Sequence, residues 1–249
     1  MGIVSRYLLV DIGNSTVQYL VIDEAGIGIM SAHPTRGFEM TEPLDQFACI
    51  VVSSVAPSVN HQFESPRTIF IDYKTIPQLT FSMDHPDQIG ADRLVTALAG
   101  FHVAQTDCLV IDSGTATTLC RINHQANYLG GIILPGLALS AKALQLHTEK
   151  LPLVWTEPIH KSYGETTTEA IQIGLYNGHR HTLNGFITEY RDQVPQGRVI
   201  GTGTGLVVVH DQLDIDFFNE TLIFDGLLLC LNAHLGYTVP ITSIKFKED

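Results

Sequence analysis

The sequence predicts an α/β protein of two related domains, each built on a mixed sheet. Its 249 residues, 45% of them apolar and 16% charged, are enough to bury two cores. Two segments, residues 7–23 and 108–122, repeat one plan: an apolar strand ending in aspartate, a glycine turn of small residues, and a second apolar strand. In each half the strands precede the helices, which is typical of α/β domains with mixed sheets.

The repeat also predicts the domain limits. Asp11 and Asp112, which end the first strand of each segment, stand 101 residues apart. We therefore expect domains at residues 1–104 and 105–249. We also expect the two glycine turns to face each other across an interdomain cleft.

The elements of the first half follow from apolar patterning. The strand that ends at Asp11 is followed by a second strand at Val17–Ile22, and further strands are predicted at Ala48–Val55 and Thr68–Ile71. A helix is predicted from about Asp92, because the apolar residues after it recur at helical spacing: Leu94, Val95, Leu98 and Phe101.

The second half repeats the strand, turn and strand at Cys108–Ile122. A helix at Pro135–Leu146 is predicted after a turn at Gly130 and Gly131. Thr166 and Glu169 have the spacing of a capping box, which predicts a helix start. Short buried strands are predicted at Arg198–Gly201 and Leu222–Phe224, and the tail Lys245–Asp249 is predicted to be a solvated end.

The charge balance excludes some classes of function. Fourteen Lys and Arg stand against 26 Asp and Glu, a net charge of −12. Nonspecific nucleic-acid or anionic-membrane binding needs a basic surface, so we expect neither. The apolar stretch Tyr7–Val10 stops at Asp11, too short for a signal-peptide core, and the cysteines are scattered, so a cytoplasmic protein is expected. A polyanion would have to be bound by backbone N–H groups and metal ions.

The first turn has the composition of an anion site. Gly13 lets backbone N–H groups approach an anion closely, and Asn14 and Ser15 add short donors. Asp11 would repel phosphate, so its role would be through a cation or water. A strand follows, whereas a helix follows the turn of a P-loop or dinucleotide fold. Taken alone, such a turn is equally an ordinary hairpin.

The second turn repeats these features with Asp112, Gly114, Thr115, Thr117 and Thr118. Two such turns, one in each half, could clamp a polyphosphate without any lysine. The pair is more specific than either turn, although two plain hairpins remain the alternative.

Two further segments carry candidate chemistry. Gly201–Gly205 alternates glycine and threonine, which suits a close approach to a flat ring such as adenine, or a loose loop. Asp92 and Arg93 stand at a loop-to-helix junction, where the carboxylate could activate a hydroxyl while the arginine orients the substrate. An aspartate that only favours the helix dipole is the alternative.

The 11 histidines lack a metal-site motif, so we expect them to be structural or at the surface.

Taken in order, these segments resemble the type III pantothenate kinases, bacterial enzymes of the acetate kinase, sugar kinase, Hsp70 and actin superfamily. The resemblance covers nearly the whole chain, and related regulatory proteins of the Bvg accessory factor type share it. The matching motifs are DIGNS (11–15), SSVAP (53–57), IGADR (89–93), DSGTATT (112–118), GGIILPG (130–136) and GETTTEAIQIG (164–174).

The resemblance implies two RNase H-like domains of the actin-like ATPase type, and a homodimer that phosphorylates pantothenate to 4'-phosphopantothenate, the first step toward coenzyme A. By motif, Asp92 would be the general base that accepts the proton of the pantothenate hydroxyl. Thr167 would contact pantothenate from the neighbouring subunit. The residues implied to hold the substrate are Gly90, Ala91, Asp92, Arg93 and Thr167.

The same resemblance implies ATP, Mg²⁺ and a monovalent cation, K⁺ or NH₄⁺, as the cofactors. Asp112 would bind the monovalent cation, and Asp11 would reach Mg²⁺ through ATP or water. The residues implied to contact the nucleotide are Asp11, Gly13, Asn14, Ser15, Gln18, Gly114, Thr115 and Gly203.

Three positions depart from the family pattern. Cys120 stands where aspartate is frequent, Thr204 stands where a glycine is usual, and Gln18 replaces a basic residue found in part of the family. Two alternatives therefore stay open: a regulatory homologue that binds nucleotide without transfer, or a superfamily kinase with another acceptor such as a sugar or acetate. Because Asp11, Asp92 and Asp112 are all present, we expect an active enzyme.

Overall fold

The computed structural model describes residues 6–23, 25–239, 241 and 243–246. Its strands are β1 (Arg6–Ile12), β2 (Thr16–Ile22), β3 (Ile27–Pro34), β4 (Phe47–Ser54), β5 (Thr68–Phe70), β6 (Thr80–Phe81), β7 (Cys108–Ser113), β8 (Ala116–Ile122), β9 (Asn127–Pro135), β10 (Arg198–Thr202), β11 (Phe217–Phe218) and β12 (Ser243–Phe246). Its helices are α1 (Ala91–Ala104), α2 (Leu137–Leu146), α3 (Thr167–Gln193) and α4 (Leu222–Leu235).

The chain divides into two compact units, the first formed by the described residues up to Ala99 together with those from Leu222 onward. The sheet of this unit has the strand order β12-β3-β2-β1-β4-β5. The strands β1, β2 and β3 form an antiparallel meander, and β4 and β5 run parallel to β1. The sheet is therefore mixed, as predicted.

The second unit, Gly100–Thr221, repeats this plan. Its five strands lie in the order β9-β8-β7-β10-β11, with β7, β8 and β9 antiparallel and β10 and β11 parallel to β7. Each strand occupies the place of its counterpart in the order β3-β2-β1-β4-β5. The α/β class with mixed sheets is confirmed, and Asp11 and Asp112 occupy matching positions near the ends of β1 and β7.

Apolar strands place the cores. In β1 the side chains of Leu8, Val10 and Ile12 are fully buried in a cluster with residues of β2 and β4, which include Val17 and Val52. Successive residues of a strand point to opposite faces, so these three share one face of the sheet. The equivalent cluster of the second unit buries residues of β7 and β10 against α3, among them Leu109, Ile111, Val199, Tyr176, Leu183 and Ile187.

The compact units differ from the predicted domains 1–104 and 105–249. Helix α4 packs on β1 and β4, and β12 pairs in parallel with β3, so the C-terminal segment returns to the first unit. A repeat in the sequence shows where each sheet begins, but it does not show on which sheet a later helix packs.

Most predicted elements form, with boundary shifts of one or two residues. The strands at Ala48–Val55 and Thr68–Ile71 correspond to β4 and β5. The predicted helix start is confirmed, since the Thr166 hydroxyl accepts a hydrogen bond from the Glu169 N–H (3.2 Å) at the start of α3.

Two expectations were wrong: the turn at Gly130 and Gly131, and the strand at Leu222–Phe224. Gly130 and Gly131 lie within β9 instead of in a turn, and β9 continues to Pro135, so α2 begins only at Leu137. The pairing of β8 and β9 shifts register beside Gly130, whose φ is +125°. Such a position in a strand favours glycine. Residues Leu222–Phe224 begin the helix α4 and do not form a strand. The sequence could not show this, because a short apolar run is typical of a buried strand and of a buried helix alike. The segment Lys245–Asp249, predicted to be a solvated end, begins within β12, to which Lys245 belongs. Residues 247–249 lie outside the described residues.

In the described part of the chain, no helix is long and apolar enough to cross a membrane. All four cysteines are buried thiols outside disulfides: Cys49, Cys108, Cys120 and Cys230. Burial raises the pKa of the Cys108 and Cys230 thiols to about 12, which leaves them protonated and unreactive at neutral pH.

The close crossing of α1 and α4 gives a first prediction. A Cβ placed on Gly226 would lie 2.2 Å from the carbonyl oxygen of Val95, so only glycine fits there. We expect Gly226→Ala to lower the free energy of unfolding by about 1–3 kcal/mol, the usual cost of overpacking. Urea denaturation followed by circular dichroism measures this loss.

Gly178→Ala is the matched control. A Cβ at Gly178 in α3 meets no atom of the described residues within 4 Å. Alanine should therefore be neutral or add up to about 1 kcal/mol, because it restricts the unfolded chain. An equal effect of the two substitutions would contradict the close packing at Gly226.

Candidate active site

The first glycine turn is a three-residue tip between β1 and β2. The N–H of Gly13 donates to the carbonyl oxygen of Thr16 (2.9 Å), which closes the hairpin. Asn14 and Ser15 are exposed at the tip. The turn therefore presents small side chains and backbone to solvent, as the sequence predicted for a phosphate site.

Asp11 lies just inside this tip, near the end of β1. It pairs with Gln18 of β2 on one side and with Ser53 of β4 on the other. The hydroxyl of the buried Ser53 donates to Oδ1 of Asp11 (3.1 Å). This bond holds the carboxylate at the end of the sheet, where a hydrated cation can reach it.

The start of α1 lies next to this turn in the same unit. The N–H of Val55 donates to the carbonyl oxygen of Ile12 (2.9 Å), which joins the end of β4 to the turn. Gly90 packs against that valine, since a Cβ on Gly90 would lie 3.3 Å from Val55 Cγ1. The fold thus places the Gly90–Arg93 segment beside the first turn.

Asp92 occupies the first turn of α1. Its Oδ1 accepts the N–H of Arg93 (2.7 Å), and a Cβ on Gly90 would lie only 2.5 Å from the same oxygen. Any larger residue at position 90 would displace the carboxylate. Burial raises the pKa of Asp92 above its ordinary value, while the Arg93 N–H and the Arg93 guanidinium charge act in the opposite direction. Asp92 is therefore a stronger base than a solvated aspartate.

The second turn is a tighter, two-residue tip between β7 and β8. The N–H of Gly114 donates to the carbonyl oxygen of Ala116 (2.9 Å), and Gly114 and Thr115 are exposed. Asp112 stands opposite Thr118 of β8 and Thr202 of β10. This arrangement repeats that of Asp11 between Gln18 and Ser53.

The glycine-threonine loop 201–205 packs directly on the second turn. The N–H of Gly205 donates to the carbonyl oxygen of Ser113 (2.7 Å). Gly203 has a φ of +89°, and a Cβ there would lie 2.5 Å from Ser113 O and 2.6 Å from Asp112 Oδ1. The loop therefore needs glycine at 203 for both its conformation and its close approach.

These contacts bring together oxygen atoms that suit a hard cation. Asp112 Oδ1 and the Ser113 carbonyl oxygen, one charged and one neutral donor, both lie close to the place that a Cβ on Gly203 would take. Alkali and alkaline-earth cations prefer such oxygen donors. Among the described residues no group of three or more His, Cys, Asp or Glu could hold a metal ion. Asp112 and Ser113 thus offer two oxygen donors beside Gly203.

A buried polar network supports the second turn from behind. The Ser113 hydroxyl lies 2.9 Å from Thr117 Oγ1 and 3.3 Å from Nε2 of His179 on α3. Burial lowers the pKa of His179, so its ring is neutral at pH 7. These contacts hold the Ser113 side chain in place, and with it the backbone between Asp112 and Gly114.

A recess opens beside the same turn. Its volume is about 200 Å³, and it is lined by residues of the turn, the glycine-threonine loop, the start of α2 and the loop before α3: Gly114, Leu137, Ala138, Trp155, Thr156, Thr204, Gly205 and Val208. Trp155 is 56% exposed although it is a large aromatic residue. We call this space the Trp155 recess.

Thr167 is the first residue of α3 and is exposed. The turn before it is braced by Glu169, whose side chain accepts the N–H of Glu165 (2.8 Å) and pairs with Lys161 (2.6 Å). The helix start is therefore ordered and exposed.

The structure brings the predicted residues together in two groups. In the first unit, the turn with Asp11, Gly13, Asn14, Ser15 and Gln18 lies beside the segment Gly90–Arg93. In the second unit, Asp112 lies against Gly203, and Gly114 and Thr115 form the tip of the same turn. Sequence reasoning missed Ser53 as a partner of Asp11 and Trp155 as a wall of the recess. The one sequence signal for Ser53 was its place in the SSVAP motif at a predicted strand end.

Solved structures share this architecture. A conserved protein of the Baf family of transcriptional activators from Campylobacter jejuni is 21% identical and has a TM-score of 0.64, with coverage of 92% of this chain and 99% of that one. A protein assigned as a 2-dehydro-3-deoxygalactonokinase from Sinorhizobium meliloti is 12% identical with a TM-score of 0.56, over 95% and 99% of the two chains. At these identities the likeness shows the fold alone, and it confirms the predicted sugar kinase and actin type of architecture.

Sequence comparison identifies the family. The model of the type III pantothenate kinases matches residues 7–189. A type III pantothenate kinase of Endomicrobium trichonymphae is 35% identical over 207 residues, which cover 80% of this chain and 78% of that relative. The chain therefore belongs to the type III pantothenate kinase family, and its activity is the ATP-dependent phosphorylation of pantothenate in coenzyme A biosynthesis.

Proposed function

We propose that Asp92 is the general base of this kinase and that the two glycine turns hold the phosphates of ATP. The observation that supports this most directly is the position of Asp92. Its carboxylate has a raised pKa and stands at the start of α1, beside the first turn. A base must lie within hydrogen-bond reach of the hydroxyl that attacks the phosphate bound there.

The reaction follows from this placement. The pantothenate hydroxyl oxygen forms a bond to the γ-phosphorus of ATP while the bond from that phosphorus to the β,γ-bridging oxygen breaks. The hydroxyl proton passes to Asp92, and ADP leaves. Gly90, Ala91 and Arg93 hold pantothenate so that its hydroxyl is in line with the breaking bond. Positioning supplies most of the acceleration in phosphoryl transfer.

Cations complete the nucleotide site. Asp112 and the Ser113 carbonyl would hold a monovalent cation, K⁺ or NH₄⁺, and Asp11 would contact Mg²⁺ through ATP or water. When bound, these cations neutralise the charge of the phosphate oxygens. The exposed donors of the two tips, which belong to Asn14, Ser15, Gly114 and Thr115, then contact the phosphates.

The Trp155 recess is the proposed site of the adenine ring. Gly114 of the second turn and Gly205 of the glycine-threonine loop both line it, so a nucleotide whose phosphates lie at the turn has its base within reach of the indole. Aromatic rings stack on nucleobases. Gly203 keeps the loop close to the turn, which supports its predicted role as a nucleotide contact.

The active form is proposed to be a cytoplasmic homodimer. Thr167 belongs to the second unit, whereas Asp92 belongs to the first, and Thr167 is exposed at an ordered helix start. Thr167 of one subunit would complete the substrate site of the neighbouring subunit.

The assigned reaction is tested by ADP release in a coupled assay with Mg·ATP and pantothenate, with and without K⁺ or NH₄⁺. We expect release that depends on pantothenate and increases with the monovalent cation. Release with a sugar or acetate but not with pantothenate would instead show a different acceptor. ATP binding without any transfer would favour a regulatory role.

Asp92→Asn gives the second prediction. If Asp92 accepts the hydroxyl proton, the amide should lower kcat by at least about 10²-fold while Mg·ATP still binds. The matched control is Asp87→Asn, which changes an exposed aspartate five residues earlier in the chain. It should leave kcat within about twofold. Near-full activity of Asp92→Asn would show that another group is the base.

The pH profile of kcat is a third prediction. The reaction needs the carboxylate form of Asp92, so activity should be full above its raised pKa and be lost as pH falls through it. Arg93→Gln removes a nearby positive charge that lowers this pKa, so its acid limb should move to higher pH. An acid limb unchanged in Arg93→Gln would contradict the coupling of these two residues.

Subunit complementation provides a fourth prediction. Thr167→Val should raise the KM for pantothenate, and Asp92→Asn should be inactive. If each site takes Asp92 from one subunit and Thr167 from the other, a heterodimer of the two variants has one intact site. Co-expression with different tags, followed by purification of the heterodimer, should recover about half the wild-type activity per dimer. No recovery in the purified heterodimer would mean that both residues act within one subunit.

A further inference from the structure

A short loop after β3 folds back onto the first glycine turn. Thr35 makes two hydrogen bonds to that turn: its hydroxyl donates to the carbonyl oxygen of Gly13 (2.7 Å), and its N–H donates to the carbonyl oxygen of Ser15 (3.0 Å). Thr35 is buried by these contacts. The position of the next residue, Arg36, is therefore tied to the turn.

The backbone makes Arg36 a corner residue. The N–H of Phe38 donates to the carbonyl oxygen of Thr35 (3.3 Å), and Gly37 has a φ of +76°. These features are typical of a type II β-turn with Arg36 at its first corner. Phe38 is buried against Phe63 (5.8 Å between ring centroids), which anchors the far side of the turn. Arg36 is thus held at both ends and exposed at the corner.

The charge of Arg36 is not engaged elsewhere in the described chain. Arg6 pairs with Glu42 (3.2 Å), and Arg67 donates to the carbonyl oxygen of Phe47 (3.0 Å). Arg36, in contrast, has no hydrogen bond or ion pair with another described residue. The first turn itself, residues 11–18, has no Lys or Arg. Arg36 therefore places a cation at an anion-binding turn that otherwise lacks one.

We propose that Arg36 binds the phosphate chain of the nucleotide at the first glycine turn. The proposal rests on the proposed role of that turn and adds a residue to it. A guanidinium presents a planar set of N–H donors that matches phosphate oxygens. Arg36 would share the neutralisation of ATP with the bound cations.

The test compares Arg36→Gln with wild type in two measurements: kinetics with pantothenate, and calorimetric binding of Mg·ATP. We expect the KM and Kd for Mg·ATP to rise about 10-fold, the usual size of a lost charge-assisted hydrogen bond. The KM for pantothenate should stay unchanged. Arg36→Lys should recover part of the affinity, and the dependence of Kd on ionic strength should weaken in Arg36→Gln.

Arg198→Gln is the matched control. Arg198 is exposed and begins β10 opposite Cys108, whereas Asp112 of the second turn pairs with Thr202 at the other end of the strand. The substitution makes the same change in net charge at the end of β10 that is far from the second turn, so the Kd for Mg·ATP should not change. Equal effects of Arg36→Gln and Arg198→Gln, or no effect of Arg36→Gln, would overturn the proposal. If the wild-type protein bound Mg·ATP normally but transferred no phosphate to pantothenate, that result would instead count against the proposed function.

Discussion

The proposed chemistry depends on one electrostatic constraint: in each unit an aspartate stands beside the glycine turn that is proposed to hold phosphate. Asp11 and Asp112 occupy equivalent positions in two sheets of the same strand order. Neither glycine turn contains Lys or Arg, and the chain carries a net charge of −12. If these turns hold the phosphates of ATP, as proposed, the carboxylates repel the phosphates unless cations lie between them, so the proposed site implies bound cations.

The constraint also explains why so many positions near the turns need glycine. A cation or phosphate held by backbone atoms requires the chain to approach closely, and a side chain would fill that space. Gly90 leaves room for the Asp92 carboxylate, and Gly203 leaves room for the oxygen atoms of Asp112 and Ser113. The polar network from Ser113 to His179 then keeps the second turn rigid, so its donors are arranged before the ligand arrives.

The sequence predicted the parts of this site that local patterns encode. Asp11, Asp112 and their glycines are recognisable because each follows an apolar strand, and Thr166 is recognisable as a cap by its spacing to Glu169. The sequence did not reveal the return of α4 and β12 to the first unit, since that depends on which surface an apolar helix covers. It also missed Arg36, because only the Thr35 bonds to Gly13 and Ser15 bring that arginine to the turn.

Calorimetry can determine whether ATP binding by this protein depends on cations. A non-hydrolysable ATP analogue is titrated into the protein with Mg²⁺ and K⁺, with either ion alone, and with neither, at constant ionic strength. We expect tight binding with both ions and a loss of at least about 10-fold in affinity without Mg²⁺. Asp112→Asn should remove the added effect of K⁺. Equal affinity for the free nucleotide with neither ion present would contradict the account.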